Sequence, residues 1–355
     1  MIKKLLGIIF IVAMMAALAV GCAKTETPAE TPAETETTTE TAETPEEEPA
    51  PVEAVVLKLA ETHPADYPTT LGDYEFARLV EEKTEGRVKI EVFPAAQLGE
   101  EKDVIEQVQI GAIDLTRTSI APLTEFAPSL NVLQLPYIYR DADHMWNVLN
   151  SEIGENFLKS VESANFVGLG WFDPGQRNFY NSQKEITSLA DLKGLKFRVM
   201  QSELMMDMVA ALGASPTPLP YGEVYSAIQT GIIDGAENNW PSYDTSSHFE
   251  VAKYYTIDGH VRVPEIIIAS SIAMQKISAE DLAIMKEAAK EAQAFQIEKW
   301  EAKEVESRKK VEEAGSIITE LTPEAKAEFA AAMEPVYQKY AAEYTDLIKQ
   351  VQEVQ

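Results

Sequence analysis

Between Val55 and Val92 the apolar pattern changes period twice, and that change dictates a topology. Residues 55–59 form a short apolar run, residues 71–83 repeat at helical spacing up to Gly86, and Val88, Ile90 and Val92 alternate. A period of 2, then 3.6, then 2 reads as strand, helix, strand. At this length the two strands lie parallel with a right-handed crossover, which commits the chain to an α/β sheet. Thr62-His63-Pro64 then falls at the carboxyl end of the first strand, where open α/β sheets place their ligands. Residues 100–110 predict a second helix ending at Gly111. Ile113 and Leu115 predict a third strand with a polar exit at Arg117, Thr118 and Ser119.

Residues 194–243 restate the theme. Leu195, Phe197 and Val199 alternate with Lys196, Arg198 and Met200, so one face of a strand is buried and Arg198 lies on the other. An arginine there is either solvated or aimed at a ligand. A helical run over 221–230 stops at Gly231, and Ile232 and Ile233 lead into DGAENNWPSY, which sets carboxylate, amide, indole and phenol groups side by side. Trp240 and Tyr243 in that loop fit a binding site or a core. The runs QIGAID at 109–114 and QTGIID at 229–234 both join a helix end through glycine to a strand, in keeping with two similarly built lobes.

Further along, residues 165–171 predict an apolar strand and Pro174-Gly175 a turn. Ser188 with Asp191 marks a short helix start, and Ser278 with Asp281 opens the longest periodic run, residues 279–314. As one helix it would span about 54 Å, so it crosses both lobes or protrudes. Thr322-Pro323 starts a last helix that Pro335 breaks or kinks.

Lys3 and Lys4 precede an uncharged, mostly apolar core over 5–20, the pattern of a signal peptide. It runs into Ala19-Val20-Gly21-Cys22, and Cys22 is the only cysteine. Small residues before a lone cysteine resemble a bacterial lipobox, with Ala19 in place of the more usual leucine. Residues 24–53 hold ten glutamates among threonine, proline and alanine, too little apolar surface to fold. The expected order is a lipoprotein signal peptide at 1–22, a disordered acidic tether at 23–54, and a folded remainder long enough for two domains. With 58 acidic against 30 basic side chains, the chain is a poor partner for nucleic acid or anionic lipid.

Catalytic patterns are missing. The sequence has no G-x-S-x-G, H-E-x-x-H, P-loop or EF-hand run, its one thiol sits at the expected anchor, and its four histidines (His63, His144, His248, His260) stand in unrelated settings. His144 beside Asp141 and Asp143 reads as a helix start rather than a metal site. Gripping a carboxylate calls for a planar fork of parallel donors, which is arginine chemistry, and the chain has eight arginines.

Three runs carry a family resemblance. DLKGLKFRVM, GASPTPLPYGEVYSAIQTG and IIDGAENNWPSY resemble the solute-binding proteins of tripartite ATP-independent periplasmic (TRAP) transporters, over roughly residues 57–310. The resemblance implies an α/β Venus-flytrap fold of two lobes, 55–175 plus 264–303 and 176–263 plus 304–355, with the long helix lying across both. It implies a receptor without enzymatic activity, cofactor or metal, whose partners are a small organic acid and the small and large membrane subunits of a transporter. Arg198 matches the family's carboxylate-pairing arginine and Arg177 a second, less uniform one. Asn238 matches the amide that orients the same carboxylate, and Tyr221 an aromatic wall. His63, Glu101 and Ser119 fall at positions whose residue type varies with the substrate. AENNWPSY looks most like members that take uronates; C4-dicarboxylates and 2-oxo acids are the alternatives within the family, and a secreted hydrolase or a surface adhesin outside it.

Overall fold

A computed structural model describes residues 54–355; the leader at 1–22, Cys22 and the arm up to residue 53 lie outside the described residues. Eleven strands occur among the described residues, in chain order β1 (Val55–Ala60), β2 (Val88–Phe93), β3 (Leu115–Ser119), β4 (Phe166–Phe172), β5 (Arg177–Asn181), β6 (Lys196–Val199), β7 (Ser215–Pro218), β8 (Gly235–Asn238), β9 (Tyr254–Val261), β10 (Glu265–Ser270) and β11 (Ile317–Glu320). They form two sheets, ordered β2-β1-β3-β10-β4 and β11-β9-β5-β8-β6-β7.

Each sheet has a parallel heart. β1 pairs parallel with β2 and β3, as the alternating periods predict, and β6 pairs parallel with β7 and β8, the latter a strand within the stretch 234–243 that reads as a loop in the sequence. The remaining pairings are long-range. β10 enters the first sheet antiparallel between β3 and β4, and β5 lies antiparallel between β8 and β9. The chain therefore passes from one sheet to the other three times, between β4 and β5, back between β9 and β10, and again between β10 and β11.

Local departures from expectation have simple causes. The first helix runs Pro68–Lys83, starting ahead of residue 71 because Pro68, lacking an N–H, suits its first turn. Ile113 is buried ahead of β3 rather than within it. Pro335 does interrupt the C-terminal run: Pro323–Ala331 ends, Glu334–Tyr340 restarts with the proline in its first turn, and Thr345–Glu353 follows as a further helix.

The long run is one helix, Ala279–Glu313, capped by the Ser278 hydroxyl on Asp281 N–H. Its first half buries Met285, Ala288, Ala289 and Ala292 in the apolar cluster beneath the first sheet, and Val311 near its end joins the cluster of the second. Between them Gln296 accepts from Asp173 N–H at 2.7 Å and donates to Asp173 O at 3.2 Å, where the chain crosses between sheets. The helix thus lies across both lobes. A simple pair of separate cores is not what forms: the largest cluster runs from Ile105, Leu130 and Leu133 to Phe197, Met208 and Phe329. Apolar packing therefore continues behind the cleft.

Candidate functional site

The parallel strands of both sheets end facing one another, and their carboxyl ends carry the polar residues. His63 follows β1, Ser119 ends β3, Arg198 sits near the end of β6 and Asn238 ends β8, while Arg177 opens β5 at the crossing. These five, with Glu101 and Tyr221, are the seven expected residues, and all seven line a single cavity of about 30 Å³. Across it the Tyr67 hydroxyl reaches Ser242 Oγ at 2.8 Å, so side chains from the two sheets meet around the cavity.

Arg198 is buried at 4% exposure. The alternation in its strand correctly separates two faces, but the second face turns into the cleft rather than to solvent. Its Nε donates to Leu219 O at 2.9 Å, and its guanidinium lies 5.8 Å from the centre of the Tyr221 ring. Among the described residues, no carboxylate comes within ion-pair distance of it. Burial draws its pKa down, with Glu237 partly opposing. A buried cation without a counter-ion costs several kcal/mol, and an anion entering the cleft would relieve that cost.

Arg177 is arranged differently. Its Nε donates to Glu237 Oε2 at 2.5 Å, Nη2 to Glu237 Oε1 at 2.9 Å and to Glu237 O at 2.7 Å, and Nη1 to Asn238 Oδ1 at 2.9 Å. Four of its five N–H groups are thereby engaged, which leaves one for a ligand. The expectation of a second gripping arginine is thus narrowed to a single donor. Asn238 Oδ1 also accepts from Asn239 N–H at 2.9 Å, so the amide is oriented with Nδ2 as its remaining donor. Behind them His260 sits between Asp258 at 2.7 Å and Glu237 at 3.3 Å. Its carboxylate neighbours overcome burial and raise it to about 9, and Glu237, with Arg177 and His260 beside it, is held at about 2.

The opposite wall is organised by Arg117, which is fully buried. It grips Glu61 through Nε and Nη2, donates from Nη1 to Glu265 Oε2 at 2.5 Å, and brings Nη2 to His63 Nδ1 at 2.8 Å. His63 Nδ1 also lies 3.0 Å from Glu61 Oε1, so this nitrogen stands between a guanidinium, which only donates, and a carboxylate, which only accepts, while Nε2 is left for the cavity. Burial lowers the pKa of His63, with the hydrogen bond to Glu61 opposing. Tyr67 stacks on the ring at 4.0 Å and holds its plane. Glu101 Oε1 accepts from Ser119 N–H at 2.7 Å. Tyr221 donates to or accepts from Ser246 Oγ at 2.5 Å and leans on His63 with ring centres 5.1 Å apart.

Trp240 and Tyr243 belong to the core. Trp240 stacks on Tyr255 at 3.8 Å, and the Tyr243 hydroxyl donates to Ala252 O at 2.7 Å. His144 is structural too: its N–H meets the Asp141 cap and its Nε2 lies 2.9 Å from Val351 O. No group of three or more metal-ligating side chains is found among the described residues. Sequence reasoning missed Tyr67, Asn239, Ser242, Glu265 and Trp300 in the lining. Asn239 and Ser242 stood in a loop already noted, whereas Glu265 and Trp300 follow only from the β10 pairing and the helix crossing.

Comparison with known proteins agrees with this geometry. Residues 59–343 match the family described as bacterial extracellular solute-binding protein, family 7 (DctP). A TRAP periplasmic solute-binding protein from Bradyrhizobium sp., solved in complex with alpha/beta-D-galacturonate, superposes with a TM-score of 0.82 at 44% identity, covering 84% of this chain and 99% of that one. Another, from Pseudomonas putida F1 with bound D-glucuronate, gives 0.82 at 39% identity over 85% and 98% of the two chains. A solute-binding protein of Chromohalobacter salexigens is 38% identical over 293 residues, 82% of this chain and 87% of its own length.

Proposed function

This chain belongs to the family-7 bacterial extracellular solute-binding proteins and serves a TRAP transporter as a receptor, not an enzyme; from that premise we propose that its ligand is a uronate, held by its carboxylate at Arg198. The observation that carries the reading is the buried Arg198 guanidinium with no carboxylate at ion-pair distance among the described residues. A ligand carboxylate would take Nη1 and Nη2 as a fork, with Asn238 Nδ2 and the last N–H of Arg177 beside it. The ring hydroxyls would then face His63 Nε2, Ser119 and Glu101, a wall with both donors and acceptors. Galacturonate and glucuronate bound in similar structures support the same class.

The lobes are assigned as residues 55–175 plus 264–303 and 176–263 plus 304–355, parted where the chain crosses between sheets. Closure over the acid would present both lobes to the small and large membrane subunits. Outside the described residues, Cys22 is assigned a lipid and residues 23–54 the role of a tether, on the strength of the signal-peptide pattern. No helix among the described residues is long and apolar enough to cross a membrane. A Cys22→Ser protein should leave the membrane fraction or persist as precursor; unchanged extraction and mass would remove the lipid assignment.

Calorimetric titration tests the ligand class. D-galacturonate or D-glucuronate should bind at least about 100-fold more tightly than succinate or pyruvate, a difference of about 2.7 kcal/mol. Tighter binding of the dicarboxylate or the 2-oxo acid would overturn the uronate reading.

A further inference from the structure

The two walls of the cleft carry opposite electrostatic characters. One presents Arg198 without a counter-ion. The other gathers Glu61, Glu101 and Glu265 around the single guanidinium of Arg117, at separations ranging from direct hydrogen bonds to 3.8 Å for Glu101. Arg117 has little left to offer an anion. Its Nε and Nη2 are taken by Glu61 and His63, and Nη1 is bound by Glu265 with Glu101 beyond it. Glu265 Oε2 is likewise occupied, while no described residue donates to Glu265 Oε1 or Glu101 Oε2. Both residues line the cavity.

We infer that Glu265, assisted by Glu101, is the specificity residue that admits only acids with a single carboxylate, because its free oxygen accepts a ligand hydroxyl and repels a second carboxylate in the same place. This deepens the uronate reading and rests on it. Hydroxyl donors and carboxylates of similar size differ at this point by a favourable hydrogen bond against a like-charge contact in a buried cleft. Such juxtaposition costs several kcal/mol. The far end of the ligand, rather than the clamp, then separates sugar acids from diacids.

A second observation bears on the same residue. Burial, reinforced by Glu101 and Glu61 and opposed by Arg117, lifts Glu265 to about 7. The charged or titratable groups around it are Arg117 from β3, Glu101 from the helix Glu101–Gln109, Glu61 after β1, Asp73 from Pro68–Lys83, Tyr67 ahead of that helix, and Arg177 across the cleft. Asp73 is buried beside Glu61, and burial together with that carboxylate pushes it well up. A diacid that needs Glu265 neutral binds freely below this value and loses affinity above it. The loss reaches up to about tenfold per pH unit for one coupled proton.

The probes are D-galacturonate and galactarate, the diacid with carboxylates at both ends of the same carbon skeleton. Calorimetry on the wild-type protein at about pH 8 should give galactarate at least about 100-fold weaker than galacturonate. Glu265→Gln keeps an acceptor and removes the charge, so galactarate should gain about tenfold or more while galacturonate holds or weakens. Opposite movement of the two affinities is the signature that a loss of packing would not produce. Should that variant fold poorly, the wild type alone still decides: the galacturonate-to-galactarate ratio must rise between about pH 6 and 8 across the Glu265 transition. A ratio unmoved by pH, or a folded variant with the wild-type ratio, overturns the role of Glu265. Failure of galacturonate and glucuronate to bind at all would instead overturn the uronate reading beneath it.

Discussion

His260 lies between two buried carboxylates, Asp258 and Glu237, and Glu237 in turn holds Arg177. Charges at this depth alternate, and each is satisfied only while its neighbour is ionised. His260, raised to about 9 from 6.5, contributes stability that is complete below its unfolded value and is lost as pH rises through 9. Glu237, held at about 2, contributes above its unfolded value of 4.5 and loses that contribution only as pH falls toward 2. The pair is therefore fully stabilising between about 4.5 and 6.5, and alkali should weaken the fold by an amount of the order of 3 kcal/mol. Thermal melts from pH 6 to 10 should show that decline in the wild type and a much shallower one in His260→Gln. Parallel curves would mean that the histidine is neutral throughout. Glu237→Gln should be costlier, about 3–5 kcal/mol, since it strands Arg177 in the interior. These roles were only half legible in the sequence. Arg198 stood out because a strand pattern flagged its face and a family resemblance gave it a partner. Arg117 was noted merely as a polar strand exit, because its partners Glu61 and Glu265 lie 56 and 148 residues away, beyond the reach of any local pattern.

At the scale of elements, β5 and β8 together carry Arg177, Glu237 and Asn238, and their spacing depends on Gly235. A Cβ at that position would sit 2.0 Å from Tyr180 O and 2.8 Å from Asn181 Cα, on the neighbouring strand. Both obstacles are backbone and cannot rotate aside. Gly235→Ala should cost about 1–3 kcal/mol in stability and weaken uronate binding together with it, because the strands that position the arginine and amide must part. Denaturant unfolding and titration of the same sample check this; full affinity with normal stability would show that the strand pair tolerates the displacement. Elements of this kind were mostly readable. Period-2 and period-3.6 runs locate the parallel heart of the first sheet and β6 in the second, and the Ser278 cap locates the start of the long helix; β7, a Ser-Pro-Thr-Pro run, gives no such signal, and β8 lies within residues 234–243, which read as a loop. Periodicity alone does not place β10, whose apolar run fits either sheet; only the family resemblance groups residues 264–303 with the first lobe. The same limit hid Glu265, the first residue of that strand.

Across the whole molecule, the lobes meet through side chains from opposite sheets. The Tyr67 hydroxyl lies 2.8 Å from Ser242 Oγ and donates to Asn239 Oδ1 at 3.4 Å, and Tyr221 leans on His63. These contacts join the two walls of the cleft, so entry of a sugar acid between them would part the lobes and its binding re-close them. A ligand drives closure only by binding the closed form better. Small-angle scattering should therefore give a smaller radius of gyration with saturating uronate than without, and Tyr67→Phe should enlarge the ligand-free value; superimposable curves for free and saturated protein would argue for a rigid cleft. Closure and the diacid filter both presuppose one event, the pairing of a ligand carboxylate with Arg198. Titration calorimetry of the wild-type, Arg198→Ala and Arg198→Lys proteins with the better-binding uronate measures that event. Truncating one side of a buried charge pair costs about 2–5 kcal/mol, so Arg198→Ala should lose roughly 30-fold to several thousand-fold in affinity. Arg198→Lys should also bind poorly, since a point charge lacks the two-pronged geometry. Near wild-type affinity in a well-folded Arg198→Ala protein would contradict the account.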